Sequence, residues 1–303
     1  MKQQTFTESF FYGNYFYGLC TVALSIEAAV QQYTALNPFW YYLFVFTGTV
    51  VYYTKAYITE STVETHNKRA RWYIHNKTFV LYSQVILTLA MLLSLFFLLQ
   101  HHVQQLFNIN ITEWILLLVF PAVAALYYGI ATPLLFKYNL RNTGWMKPFV
   151  IGFVWAGAVT VYPIVFQHIL AGQPHELNFF GVLLFIKNFM YISLLCILFD
   201  IKDYAADHNQ QLKTFVVRVG LRKTIFLIII PLSIVGLGTF LIYASLLQFP
   251  FARILINTIP FILLIMVAWS MQQRKSILYY LTIIDGLMLV KAACGITGMT
   301  LIK

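Results

Sequence analysis

The stretch "FDIKDYAADHNQQLKTFVVRVG", residues 199–220, concentrates carboxylates in a chain that otherwise has few of them. Three of the ten acidic residues, Asp200, Asp203 and Asp207, fall within eight positions. On a helix, Asp203 and Asp207 share one face with their Cβ atoms about 6 Å apart, and Asp200 extends that face. Like charges at this spacing repel each other, so a cation usually lies beside them. Oxygen ligands in this arrangement suit Mg²⁺, which binds one or two carboxylates together with water and substrate phosphates.

The same stretch has a plainer interpretation as a solvated helix end with local Asp–Lys pairs. Basic residues, Lys202, Lys213 and Arg218, alternate with the aspartates. Lysine ammonium groups also bind phosphate oxygens as point charges. The residues of this stretch alone leave both interpretations open.

The rest of the chain is strongly apolar. Of its 303 residues, 60% are hydrophobic and 10% are charged, whereas a soluble domain carries about 25% charged residues. A transmembrane helix needs about 20 mainly apolar residues. The sequence predicts nine such helices, at 15–35, 39–58, 78–99, 113–135, 147–168, 178–198, 224–246, 250–271 and 277–299. We therefore expect an all-α, multi-pass integral membrane protein with a single domain over residues 1–303.

Basic residues indicate how the helices are oriented. Lysine and arginine cluster after the second, fourth, sixth and eighth predicted helices, whereas the opposite loops hold only Arg253. The positive-inside rule places the basic loops and the N-terminus in the cytoplasm and the C-terminus outside. Membrane orientation and an anionic substrate account for the net charge of +10, so we do not expect nucleic acid as a partner.

The stretch also resembles a known family motif. "DIKDYAADHNQQLKTFVVRVG" is similar to the second aspartate motif of the UbiA superfamily of membrane prenyltransferases, roughly Asp/Asn-x-Arg-Asp-x-x-x-Asp followed by Lys-Thr and Arg-x-Gly. Asp203 and Asp207 fall on the paired aspartates, and Lys202 replaces the usual arginine. The remaining matches are Lys213-Thr214 and Arg218-Val219-Gly220, and "YYGIATPLLFK" (127–137) resembles the fourth helix of the family.

The resemblance implies a fold and an activity. The fold is a nine-helix UbiA-like bundle, and the reaction transfers a prenyl group from an isoprenyl diphosphate to a lipophilic, aromatic acceptor within the membrane. The catalytic residues implied are Asp203, Asp207 and Lys213, and the Mg²⁺ ligands implied are Asp200, Asp203 and Asp207.

The first motif of the family, Asn-Asp-x-x-Asp-x-x-x-Asp, is missing. The equivalent segment, 51–77, contains no aspartate; Thr54 and Lys55 stand where the Asn-Asp pair belongs, and Glu60 and Glu64 come later. Either cations of this segment hold the diphosphate in place of a metal, or the segment contacts anionic lipid headgroups. On the first interpretation, Lys55, Arg69 and Arg71 of this segment hold the diphosphate directly. The diphosphate-binding residues that we expect over the whole chain are Lys55, Arg69, Lys137, Arg141 and Lys202.

Two classes of function therefore remain. The retained segment 200–220 favours a prenyltransferase, whereas the aspartate-free segment 51–77 favours a non-catalytic lipid- or isoprenoid-binding or assembly protein on the same scaffold. A transporter is a third possibility, but the two halves lack the matching pair of Gly/Pro-broken helices that would mark a midplane substrate site.

The ionisable residues inside the predicted helices include Glu27, Lys187, Asp285 and Lys291. Charges in hydrocarbon are costly and usually face the bundle interior or a cavity. Glu27 is expected either to line the substrate cavity or to join helices through hydrogen bonds. Asp285 and Lys291 are six residues apart on different helix faces, so we do not expect them to pair. Lys187 lies near a helix end, where we expect its side chain to snorkel to the interface.

Overall fold

The computed structural model describes residues 6–60, 68–128, 144–174, 178–209, 213–273 and 275–301. Every regular element in these ranges is a helix. In chain order the helices are α1 (Phe6–Tyr12), α2 (Tyr15–Gln31), α3 (Phe39–Glu60), α4 (Lys68–His75), α5 (Lys77–Leu99), α6 (Val103–Phe107), α7 (Ile111–Tyr128), α8 (Lys147–Ala171), α9 (Phe179–Asn209), α10 (Phe215–Val219), α11 (Leu221–Leu246), α12 (Phe251–Ser270) and α13 (Ile277–Thr300). Each of the nine predicted segments overlaps one of the longer helices, and the end of the fourth segment, 129–135, lies outside the described residues.

Six of these helices are long and apolar enough to cross a membrane. They are α5, α8, the Phe179–Lys202 part of α9, α11, α12 and α13. In α7, Ile111–Tyr127 is a shorter apolar helix, α2 has 17 residues, and α3 is rich in tyrosine and threonine. The structure therefore shows an all-α polytopic membrane protein, with six helices that meet both requirements among the described residues.

The bundle is built around α9. In the apolar part of α9, 67% of the residues are buried, whereas in the corresponding part of α5 only 11% are buried. Helix α9 packs against α8 and α11, α13 packs against α2 and α12, and α2 packs against α3. Helix α5 touches the bundle mainly through α3 and leaves a large apolar face uncovered, as a helix at the lipid boundary does.

Three of the membrane helices contain a π-helical turn. The turns are Gly157–Val161 in α8, Ile225–Ile229 in α11 and Tyr280–Ile284 in α13. Proline follows the first two turns within two residues, and a proline ring displaces the carbonyl group four residues earlier. The third turn has no proline and ends directly before Asp285. Such turns often occur at functional sites, and this one places Asp285 at its end.

Candidate functional site at one end of the bundle

The first aspartate of the predicted motif, Asp200, is paired inside the protein. Its side chain is 2% exposed, and its Oδ1 lies 3.1 Å from Nζ of Lys147, the first residue of α8. This contact follows from the packing of α8 along α9. The ammonium group of Lys147 offsets the charge of this carboxylate through Oδ1, and the predicted role of Asp200 as a metal ligand stays a prediction.

The structure does not describe the side chains of the other two predicted metal ligands. Asp203 and Asp207 are on α9, but the positions of their side chains are outside the described part of the chain. Among the side chains that are described, no group of three or more His, Cys, Asp or Glu residues is placed to hold a metal ion. Mg²⁺ bound by Asp203 and Asp207 stays a prediction.

Lys213 and Gly220 belong to the part of the motif that follows α9 in the chain. Lys213 is exposed and comes shortly before α10. The segment before α8 packs against it, because a Cβ atom on Gly144 would lie 2.6 Å from the backbone carbonyl carbon of Lys213. Gly220 separates α10 from α11 with φ of 81°, a conformation that residues with a side chain rarely adopt. The Lys-Thr and Arg-x-Gly parts of the motif are therefore placed at the end of the bundle that also holds Lys147.

Arg69, predicted to contact a diphosphate, is buried on α4. Its side chain is 3% exposed. Nη1 donates a hydrogen bond to the Tyr57 hydroxyl at 2.9 Å, and Nη2 donates to the Tyr12 carbonyl at 3.2 Å and to Asn14 Oδ1 at 2.5 Å. The guanidinium carbon also lies 4.0 Å from the centroid of the Tyr57 ring. These contacts hold α4 against α1, α2 and α3 and favour a structural role for Arg69.

Asn14 and Tyr73 complete this connection between helices. Asn14 Nδ2 donates to Thr54 Oγ1 at 3.0 Å and to the Tyr73 hydroxyl at 3.1 Å, and the Tyr73 hydroxyl donates to the Tyr12 carbonyl at 2.8 Å. Burial raises the pKa of Tyr73 to about 12, against an opposing effect of Arg69. Tyr73 therefore keeps its proton at neutral pH and remains a hydrogen-bond donor.

Charged residues of both predicted segments, 51–77 and 199–220, lie within electrostatic range of Asp285. This residue follows the π-helical turn of α13 and is 4% exposed. The Tyr17 hydroxyl lies beside its carboxyl group, and both Arg69 and Lys202 lie within the range of a charge–charge interaction with it. Arg69 comes from segment 51–77 and Lys202 from segment 199–220. Phe199 also packs against the apolar cluster that contains Trp72 and Tyr73, so the structure brings the two segments together. The sequence marked Asp285 only as a charge inside a helix and gave it no role in the site.

Aromatic rings lie beside Asp285 on three helices. Tyr17 stacks on Tyr53 with ring centroids 5.0 Å apart, and Trp155 lies 6.3 Å from Tyr17 and 6.0 Å from Tyr53. Trp155 Nε1 also donates a hydrogen bond to the Tyr53 hydroxyl. The faces of such rings attract positive charge, so this group offers a surface on which a cation is stabilised.

The remaining predicted diphosphate contacts are spread around this end. Lys55 is exposed on α3 and Lys202 is half-buried on α9, with its Nζ 5.8 Å from the Phe199 ring centroid. Lys137 and Arg141 lie outside the described residues. The structure thus gathers Lys202, Lys147 and Lys213 at the same end and places Arg69 inside it.

A second charged group lies further along α2. Lys291 Nζ donates to Glu27 Oε2 at 2.5 Å, and Lys187 Nζ lies 3.4 Å from Glu27 Oε1. Glu27 therefore joins helices. Lys291 pairs with Glu27, a partner that the sequence did not predict. The expectation that Lys187 snorkels is wrong, because Lys187 is 3% exposed and also donates to Gln31 Oε1 at 2.8 Å. A buried carboxylate stabilises its charge better than a distant interface does.

Comparison with known proteins adds no relative. No family model, no curated protein and no solved structure matches this chain. The functional inference therefore rests on the residues and contacts of the chain itself.

Proposed function

We propose that this chain is a divergent prenyltransferase of the UbiA type that transfers a prenyl group from an isoprenyl diphosphate to a lipophilic, aromatic acceptor. One observation carries the proposal: Arg69 of segment 51–77 and Lys202 of segment 199–220 both lie within electrostatic range of Asp285, and Tyr17 beside Asp285 stacks on Tyr53 and lies near Trp155. A diphosphate needs cations, and an allylic cation needs aromatic faces or a carboxylate. This end of the bundle offers all three kinds of group.

The proposed topology has nine spans. Helices α2, α3 and α7 would cross the membrane together with the six helices that meet the length and hydropathy requirements. The N-terminus and the basic connections, including those with Lys202 and Lys213, would face the cytoplasm, and the C-terminus would face outside. This orientation is supported by the position of Lys147 and Lys213 at one end of the bundle.

The proposed chemistry assigns separate tasks to the charged and aromatic groups. Lys202, Lys213 and Lys147 would neutralise the diphosphate as its bond to the prenyl C1 breaks, because charge stabilisation of a leaving group is the main contribution a protein makes to this step. The rings of Tyr17, Tyr53 and Trp155 would stabilise the allylic cation. A carbon of the acceptor ring then bonds to C1 and loses its proton, and pyrophosphate leaves.

Mg²⁺ has a limited place in this proposal. The resemblance implies that Asp203 and Asp207 hold the ion, which would neutralise part of the diphosphate charge. Asp200 is left out of the proposed ligand set because the ammonium group of Lys147 already offsets the charge of its carboxylate. With one aspartate pair and several lysines, we expect diphosphate binding to depend only weakly on Mg²⁺ and turnover to be slow.

The alternative is a non-catalytic lipid- or isoprenoid-binding or assembly protein on the same scaffold. Two residues expected to meet the substrate or its metal, Arg69 and Asp200, are used in internal contacts. Together with the missing first motif, these contacts favour a scaffold that binds an isoprenoid without turning it over.

The experiment that tests the proposal separates binding from turnover. Purified protein in detergent is titrated with isoprenyl diphosphates of several chain lengths, with Mg²⁺ and with EDTA, and pyrophosphate release is then followed after addition of lipophilic phenols. Binding with slow release supports the enzyme, and binding without release supports the alternative. Failure of every isoprenyl diphosphate to bind contradicts the proposed substrate. The Asp203→Asn/Asp207→Asn double variant tests the metal: an unchanged Mg²⁺ effect removes these residues from the site.

A further inference from the structure

The group formed by Glu27, Lys187 and Lys291 is not used by the proposed reaction. One residue comes from each of α2, α9 and α13, and each side chain is at most 4% exposed. Two ammonium groups share the single carboxylate of Glu27, at 3.4 Å and 2.5 Å. Around them, Gln31 and Asn257 contribute only neutral amides.

The charges of this group do not balance. Two lysines against one glutamate leave a net charge of +1 within the described side chains that form the group. Charges inside a membrane protein are costly unless they are paired. The rings of Phe240 and Tyr191 lie 5.4 Å and 5.9 Å from the two ammonium nitrogens, and ring faces at this distance offset only part of a charge.

The hydrogen-bond donors are also in excess. Two ammonium groups carry three N–H donors each, six in all. The structure gives them three acceptors: Gln31 Oε1 and Glu27 Oε1 for Lys187, and Glu27 Oε2 for Lys291. Glu27 itself accepts a further hydrogen bond from Gln31 Nε2 at 3.1 Å. What the group lacks is therefore an acceptor and a negative charge, and one anion supplies both.

A small cavity borders the surroundings of the group at Gln31. Its volume is about 80 Å³, and its walls include Gln31, Asn178 and Tyr243. Gln31 forms part of this wall and also accepts the hydrogen bond from Lys187. Since a water molecule takes about 30 Å³ in the liquid, the cavity has room for two waters or one small anion. A lipid headgroup is too large to pass through it.

We propose that Lys187 and Lys291 bind a small monovalent inorganic anion, of the size of chloride, which enters through the cavity beside Gln31. The anion accepts the unused N–H donors and cancels the excess positive charge. This site is separate from the proposed prenyl-transfer site and does not depend on it. The competing account is that one lysine is neutral, in which case no anion is needed.

Thermal unfolding of the purified protein in detergent tests the site. The wild type is titrated with sodium chloride against sodium gluconate at constant ionic strength and pH, because gluconate is too large for the cavity. Ligand binding to the folded state raises the midpoint of unfolding, and a concentration of a hundred times Kd shifts it by about 5 °C. We expect a saturating rise with chloride and none with gluconate.

Three variants test whether the effect of chloride follows the net charge of the group. Lys291→Met and Lys187→Met each remove the excess charge, so chloride should no longer shift the midpoint. Glu27→Gln raises the net charge to +2, so chloride should bind more tightly and stabilise more. Lys77→Gln, an exposed lysine on α5, is the control and should keep the wild-type response. Equal midpoints in the two salts for the wild type overturn the proposal whether or not the variants fold, and so does an unchanged chloride response in both methionine variants.

Discussion

Glu27 and Asp285 are both buried carboxylates in the membrane bundle, but their surroundings differ. Glu27 accepts hydrogen bonds from Lys187, Lys291 and Gln31. Asp285 has the Tyr17 hydroxyl beside it and two cations within range, yet its Oδ2 has no hydrogen-bond partner among the described residues. A carboxylate with several donors stabilises the fold. A buried carboxylate with an unused oxygen costs stability and is more typical of a functional site.

The largest effect on stability is expected at Glu27. Glu27→Gln leaves two buried ammonium groups without their carboxylate, and breaking a buried ion pair in this way costs about 3–5 kcal/mol. Thermal unfolding in detergent measures the loss. The control is Glu113→Gln: Glu113 is equally buried, but it accepts a hydrogen bond from the Asn110 backbone N–H, which the glutamine oxygen can also accept. Equal stability of the two variants would show that the Glu27 group does not hold the bundle together.

A smaller loss is expected at Arg69, which lies at the Asp285 end but has a structural role. Arg69→Gln removes charged hydrogen bonds to Tyr57, Tyr12 and Asn14, which we expect to cost about 2–3 kcal/mol. Arg71→Gln on the exposed side of the same helix should change stability by less than about 0.5 kcal/mol. If Arg69→Gln unfolds normally but loses diphosphate binding, Arg69 contacts the substrate and its structural assignment is wrong.

The loss of stability expected on removing the partner of Asp200 lies between those expected at Glu27 and at Asp285. Lys147→Met removes the ammonium group that lies 3.1 Å from Asp200 Oδ1, but Lys147 is 24% exposed, so water at this end of the bundle compensates in part. We expect a destabilisation of about 1–2 kcal/mol, measured by thermal unfolding. A loss as large as that of Glu27→Gln would place the Asp200 pair among the main stabilising contacts.

The smallest change in stability is expected at Asp285. Asp285→Asn keeps the shape of the side chain and loses no strong ion pair, so we expect a change of less than about 1 kcal/mol. On the proposed function, prenyl-transfer turnover should nevertheless fall at least about tenfold, since the side chain would no longer offset the positive charge that the proposed reaction develops beside Tyr17. Unfolding and pyrophosphate release are measured on the same preparation. A destabilised variant with unchanged turnover would make Asp285 a structural residue like Glu27.

The general architecture was predictable from sequence because hydropathy is local. Runs of about 20 apolar residues located all nine of the longer helices, and the lack of charged residues outside the loops indicated a membrane protein. The number of membrane spans is harder to predict from the sequence. Helices α2 and α3 contain many aromatic and polar residues and therefore differ little in hydropathy from long interior helices.

The site was predictable only in part, because its contacts depend on how the helices are rotated against one another. The sequence located segments 51–77 and 199–220. It did not locate Asp285, which lies within electrostatic range of a cation from each segment. It also did not show that Lys291 would pair with Glu27, 264 positions away, or that α4 would bury Arg69. Only the unusual position of a charge within an apolar run marked Glu27, Asp285 and Lys291 in advance.

Equilibrium binding of a radiolabelled isoprenyl diphosphate to the purified protein tests the central claim most directly. The wild type is compared with the Lys202→Gln/Lys213→Gln double variant and with Lys77→Gln as the control. We expect the wild type and the control to bind equally and the double variant to bind at least about tenfold more weakly, because each lysine at this end contributes on the order of 1 kcal/mol to holding the diphosphate. No binding by the wild type, or equal binding by all three proteins, would contradict a diphosphate site at the end of the bundle where the two segments meet.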